Sequence, residues 1–123
     1  MRFAEDDNTG QFQIRAYSAG QVTVNDEVLT QSLILTAETL LRDWPPQRFE
    51  DLTADHLQAA VELDPEILIL GTGARIRFPH PRITAELQAR GIGVEVMDTA
   101  AACRTYNVLV GEQRRVAAAL LMI

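Results

Sequence analysis

The stretch Gly91–Asn107, GIGVEVMDTAAACRTYN, decides the fold. Ile92, Val94 and Val96 recur with the period of two expected of a buried strand. Asp98 or Thr99 then offers a side-chain oxygen to the free amides of a helix start. Ala102, Tyr106 and Leu109 fall on one face of that helix. A strand that turns straight into a helix implies a right-handed crossover.

Upstream, Ile67-Leu68-Ile69-Leu70 is apolar on both faces and is the best candidate for a central strand. Gly71-Thr72-Gly73 follows, then an extended Arg75–Phe78 and Pro79-His80-Pro81. A helix from about Arg82 to Arg90 packs through Ile83 and Leu87 and stops at Gly91. Downstream, Arg115–Met122 reads as a final strand. Before the Ile67 strand, Thr53 opens a helix with Leu57, Ala60 and Val61 facing inward and His56 off that stripe. Asp64-Pro65-Glu66 ends it.

The pattern dissolves from Thr36 to Glu50, where Trp44-Pro45-Pro46 fixes an extended segment that can neither continue a helix nor join the middle of a sheet. Trp44 reads as a lid over the core edge or as a recognition aromatic on a rigid loop. Nearer the amino terminus, Phe12, Ile14 and Ala16 alternate with Gln13, Arg15 and Tyr17. Ser18-Ala19-Gly20 turns the chain, Val22 and Val24 continue to a tight turn at Asn25-Asp26, and a longer strand runs from Val28 to about Leu35. Met1–Gly10 shows no periodicity and reads as a flexible lead-in to a single α/β domain over residues 11–123. The amino-terminal antiparallel hairpin and the crossovers together predict a mixed sheet with flanking helices.

With 123 residues, 47% of them hydrophobic, a domain of this size buries roughly two-thirds of its unfolded surface and needs no staple. The single cysteine, Cys103, permits no intramolecular disulfide, and no stretch has the order of a signal peptide, so the cytoplasm is the expected compartment. The longest apolar run, Val116–Ile123, has eight residues, far below the roughly 20 that cross a bilayer as helix. No membrane span is expected. The formal charge is −6, with 17 acids against 11 bases, and every base is arginine. Long-range attraction to nucleic acid or anionic lipid is therefore not expected.

Gly71-Thr72-Gly73, Gly91-Ile92, Val94-Glu95-Val96, Asp98-Thr99, Cys103, Thr105-Tyr106-Asn107, Leu109 and the Arg115–Leu120 strand together resemble a small α/β domain family with no established reaction. Its members include a mitochondrial assembly factor for respiratory complex I and the adipogenesis-associated domain protein of animals. The resemblance runs from about Phe12 onward and implies a three-layer α/β fold around a mixed five-stranded sheet. Through the assembly factor it implies a protein-interaction or assembly-type role, with a protein partner. The mitochondrial members begin with a targeting segment that Met1–Gly10 does not match, so their compartment is not carried over. Members commonly place glycine just before the last strand; Gln113-Arg114 stands there here, and a differently shaped turn is expected.

One site competes with that reading. A crevice lined by Gly71, Thr72, Gly73, Thr99, Arg104, Thr105 and Asn107 would bind a small molecule, with Cys103, His80 and Asp98 as catalytic candidates. Cys103 lies about one turn into its helix, and His80 would be its base; the competing reading is a small cysteine packed in the core. A dinucleotide loop fails, because a third glycine is needed where Ile76 stands and no helix follows directly. Asp98 caps the amides a phosphate would use. One cysteine and two separated histidines are too few soft ligands for zinc, so no metal and no cofactor are expected. Homo-oligomerisation through a sheet edge or the Trp44 loop is a further expectation.

Overall fold

A computed structural model describes residues 11–123; the expected lead-in, Met1–Gly10, lies outside the described residues. Strands β1 (Ile14–Ser18), β2 (Gln21–Val24) and β3 (Glu27–Leu29) form an antiparallel sheet in that order. Strands β4 (Leu33–Leu35), β5 (Leu40–Leu41), β6 (Ile67–Thr72), β7 (Gly93–Met97) and β8 (Val116–Leu121) form a second sheet in the order β5-β4-β8-β6-β7. In it β8, β6 and β7 run parallel, while β4 pairs antiparallel with both β8 and β5. The helices are α1 (Gln58–Val61), α2 (Pro81–Ala89) and α3 (Thr99–Gly111).

The mixed five-stranded sheet and flanking helices follow the expectation, with four differences in detail. The antiparallel part of the large sheet comes from β4 and β5, whereas the amino-terminal hairpin belongs to the separate small sheet. The single strand expected from Val28 to about Leu35 is two strands: the carbonyl of the buried Ser32 accepts the Trp44 amide at 3.2 Å and its own amide donates to Gln47 Oε1 at 3.2 Å, which takes the chain from one sheet to the other. The middle position belongs to β8, with β6 beside it, and β7 is a half-exposed edge strand. Thr53 leads into a 3-10 turn, Ala54–Leu57, before the single turn of α1. In that turn His56 Nδ1 accepts the Thr53 amide at 3.1 Å.

β8 separates two cores. Its six residues are all buried and alternate between faces. Val116, Ala118 and Leu120 meet Tyr106 and Cys103 of α3 together with Ile14, Val22 and Val24 of the small sheet. Ala117, Ala119 and Leu121 meet Leu57, Ala60 and Leu87 under α1 and α2, with Trp44 at the margin. Trp44 is buried, and its indole N–H donates to the His56 carbonyl at 2.9 Å, so it covers the core edge. Ala117, Ala118 and Ala119 let the layers approach the first half of β8 closely, while the larger Leu120 and Leu121 fill the space on its two faces further along.

The helix ends are chemically specified. Asp98 Oδ1 accepts the Ala101 amide at 2.8 Å at the start of α3. Gly91, at φ 79°, ends α2 as its amide bonds Gln88 and the Ile92 amide returns to Leu87 at 2.9 Å. The end of α3 makes the same pair of bonds, Gln113 to Val110 and Arg114 to Leu109, with Gln113 itself at φ 63°. That turn takes the left-handed shape without a glycine.

Candidate functional site

Strand β6 ends where α3 begins, and Thr99 joins them. Its hydroxyl accepts the Gly73 amide at 2.8 Å and donates to the Leu121 carbonyl at 2.6 Å, while its own amide donates to the Gly73 carbonyl at 2.9 Å. Gly71 is the reason α3 can come so near: a Cβ there would lie 2.9 Å from Thr99 Oγ1 and 3.1 Å from the Ala102 methyl. Gly73 takes φ 101°, a conformation that favours glycine. Gly71, Gly73, Thr99 and the capping Asp98 therefore do converge, but on one another. Thr99 is fully buried and occupies the space between loop and helix.

Thr72 faces the other way. Its hydroxyl donates to the Arg75 carbonyl at 2.7 Å and accepts the Arg77 amide at 3.1 Å, so it folds residues 73–77 into a fixed loop. Arg77 is pinned in turn: its guanidinium bonds Glu50 at 2.8 Å and lies 4.3 Å from the centre of the Phe49 ring. An open depression of about 450 Å³ borders this loop, lined by Gln47, Arg48, Phe49, Gly73, Arg75 and Arg77 among others.

The polar residues further along α3 bind the small sheet. Asn107 Oδ1 accepts the Ile14 amide at 3.0 Å and Asn107 Nδ2 donates to the Ile14 carbonyl at 2.7 Å. This clamp lies at the irregularity in the β1–β2 register between Ile14 and Ala16, where the sheet ladder is interrupted. The Tyr106 hydroxyl donates to the Phe12 carbonyl at 2.8 Å, and Arg104 donates to the Tyr17 hydroxyl at 2.6 Å. Thr105 is half-buried.

Cys103 is 1% exposed and packed among the apolar side chains of the first core. Burial pushes its thiol up to about 12, with Arg104 opposing weakly, so near neutrality the group is a shielded thiol and a poor nucleophile. His80 is exposed, and its Nδ1 accepts the Arg82 amide at 3.1 Å at the start of α2. Among the described residues no hydrogen bond joins Cys103, His80 and Asp98, and no three His, Cys, Asp or Glu side chains group as a metal site. Also among them, no helix is long and apolar enough to cross a membrane.

What the sequence reading missed is the outward face of the loop after β6. Phe78 is 72% exposed and Ile76 46%, and both stand beside arginines. One signal was available: residues 67–85 hold no acid in a chain with 17.

The strand order, the glycine pair on Thr99 and the Asn107 clamp can now be set beside known proteins. A family model described as "Protein of unknown function (DUF498/DUF598)" matches residues 14–121. The chain belongs to this family. It is similar to the zebrafish (Danio rerio) protein named NADH dehydrogenase [ubiquinone] 1 alpha subcomplex assembly factor 3, 36% identical over 110 residues, 88% of this chain and 63% of that one. This member of the family thus spans less than two-thirds of that curated relative. An uncharacterised protein of Rhodobacter capsulatus is 37% identical over 112 residues, 91% of this chain and 86% of its own. A crystal structure of a Bordetella parapertussis protein superposes with a TM-score of 0.89 at 42% identity, covering 94% of this chain and 99% of that one. The recognised resemblance to a small α/β family with complex I assembly factors among its members is the one these comparisons return.

Proposed function

We propose that residues 11–123 act as one domain whose work is to bind a protein partner, an assembly-type module. The observation that carries this reading is the 36% identity to a named assembly factor across 88% of the chain. The internal use of the site residues supports it: Gly71, Gly73, Thr99, Arg104 and Asn107 are occupied by contacts within the fold. The alternative, an enzyme with a crevice near Gly71, Asp98 and Cys103, has weaker support, because Cys103 is shielded and Asp98 is engaged as a cap. The cytoplasm is the compartment we propose, and cell fractionation checks it.

The test is removal of the protein from its host, followed by native gel analysis of respiratory complexes and affinity isolation of the tagged full chain. Reduced complex I with normal subunit synthesis, and recovery of a stoichiometric protein partner, is the expected result. Undisturbed assembly with no partner recovered would sink the reading.

A further inference from the structure

We infer that the loop between β6 and α2, residues 73–80, together with Arg82 in the first turn of α2, is the docking surface for an acidic segment of a partner protein that also carries apolar side chains. The inference rests on the partner-binding reading above and names the chemistry of the partner.

Three independent features meet on this loop. The first is apolar exposure. Phe78, 72% exposed, is the most exposed of the large hydrophobic residues described, and Ile76, two positions away, is 46% exposed. An aromatic left in water beside a second apolar side chain is the usual anchor of an interface.

The second feature is unneutralised positive charge. Arg42, Arg48, Arg77, Arg90 and Arg114 each meet a carboxylate at 2.8 to 3.4 Å. Arg75 and Arg82 meet none among the described residues. Glu86, one helical turn beyond Arg82, is taken by Arg90 at 3.0 Å. On a chain with net charge −6, two guanidinium groups without a carboxylate partner among the described residues, at Arg75 and Arg82 on either side of Ile76 and Phe78 in the sequence, leave local positive charge that an acidic segment would neutralise.

The third is rigidity. Thr72 holds the Arg75 carbonyl and the Arg77 amide, Arg77 is fixed between Glu50 and Phe49, Gly73 is bound twice to Thr99, and Pro79 and Pro81 limit the backbone beyond. A loop already held in one shape loses little entropy on binding.

The scale of the patch favours peptide over the other anionic partners. Two free cations on a net acidic chain supply little of the multi-phosphate contact that drives nucleic-acid binding, and the net charge repels an anionic membrane.

Photo-crosslinking in the native host tests this with the full chain. Phe78 is replaced by p-benzoylphenylalanine, and Val108, exposed on α3, carries the same group in a second variant. The expected result is a crosslink from position 78 to a protein, mapped to a segment rich in Asp and Glu with apolar residues between them. Arg75→Glu with Arg82→Glu should cut its yield about tenfold or more through like-charge repulsion, with an unchanged thermal melt. A crosslink from 78 to lipid or nucleic acid, a mapped segment that is not acidic, or a yield indifferent to the two charge reversals overturns the inference. Partner capture by the 108 variant or by affinity isolation, without any crosslink from 78, overturns the loop while the partner-binding reading stands. Recovery of no partner by any of these routes defeats both.

Discussion

Asn107 takes both backbone hydrogen-bonding groups of Ile14 with a single side-chain amide, at 3.0 and 2.7 Å. The two residues belong to different layers, so one side chain does across layers what a neighbouring strand would do within a sheet. Asn107→Ala is expected to destabilise the protein by about 1–3 kcal/mol, the range for stranding partly buried backbone groups. Urea denaturation measures it. Amide exchange should quicken at Ile14 and its neighbours before it does in β6 and β8.

Thr99 and Gly71 give a paired test of the closed junction. Gly71→Ala pushes a methyl to within 3.1 Å of three side chains, and overpacking of this kind costs about 1–3 kcal/mol. Thr99→Val leaves the Gly73 amide without its acceptor and the Leu121 carbonyl without its donor, whereas Thr99→Ser keeps the oxygen. Thermal unfolding should rank Ser close to the parent and Val well below it. A Val variant as stable as the parent would mean the junction is open to water.

Cys103 sets an alkaline limit. The folded thiol keeps its proton up to about 12, against an ordinary 9.0, so the raised group contributes its full stability below about pH 9. That contribution is lost as pH rises toward 12, where the unfolded chain alone ionises. Burial raises the Tyr106 phenol in the same direction. Stability should therefore fall steeply above pH 9, and Cys103→Ala should flatten part of that slope. At pH 8 a thiol reagent should label the native protein only as fast as it opens.

Gln113 occupies φ 63° at the end of α3. A non-glycine residue there costs about 1–2 kcal/mol in steric crowding, and the greater freedom of unfolded glycine offsets part of that gain. Gln113→Gly should raise stability by up to about 1 kcal/mol in a urea titration. A loss would show that the exposed glutamine side chain makes a stabilising contact.

Local chemistry was legible in the sequence, and long-range pairing was not. Asp98 as a cap, Gly91 as a stop and the continuous apolar run Ile67–Leu70 depend on neighbours within a turn or a strand. The division of Val28–Leu35 into two strands depends on Trp44 and Gln47, which lie outside that segment. For the same reason Thr99 was readable as a helix start but not as the joint between Gly73 and Leu121, and Asn107 not as the partner of Ile14. For Cys103 the sequence left a helix-start nucleophile and a cysteine packed in the core both open, and only the packing around it decides between them.

The strand latest in the chain, β8, is the one in the middle of the large sheet. Until it arrives, nothing joins β4 to β6, and each core lacks one wall. During synthesis the earlier strands must therefore wait with open hydrogen-bonding edges, and the sheet closes only through contacts of long sequence separation such as Leu33 with Leu120. Such a topology closes slowly, because the entropy of bringing distant segments together is lost before their contacts form, and it leaves strand edges open to premature pairing in the meantime.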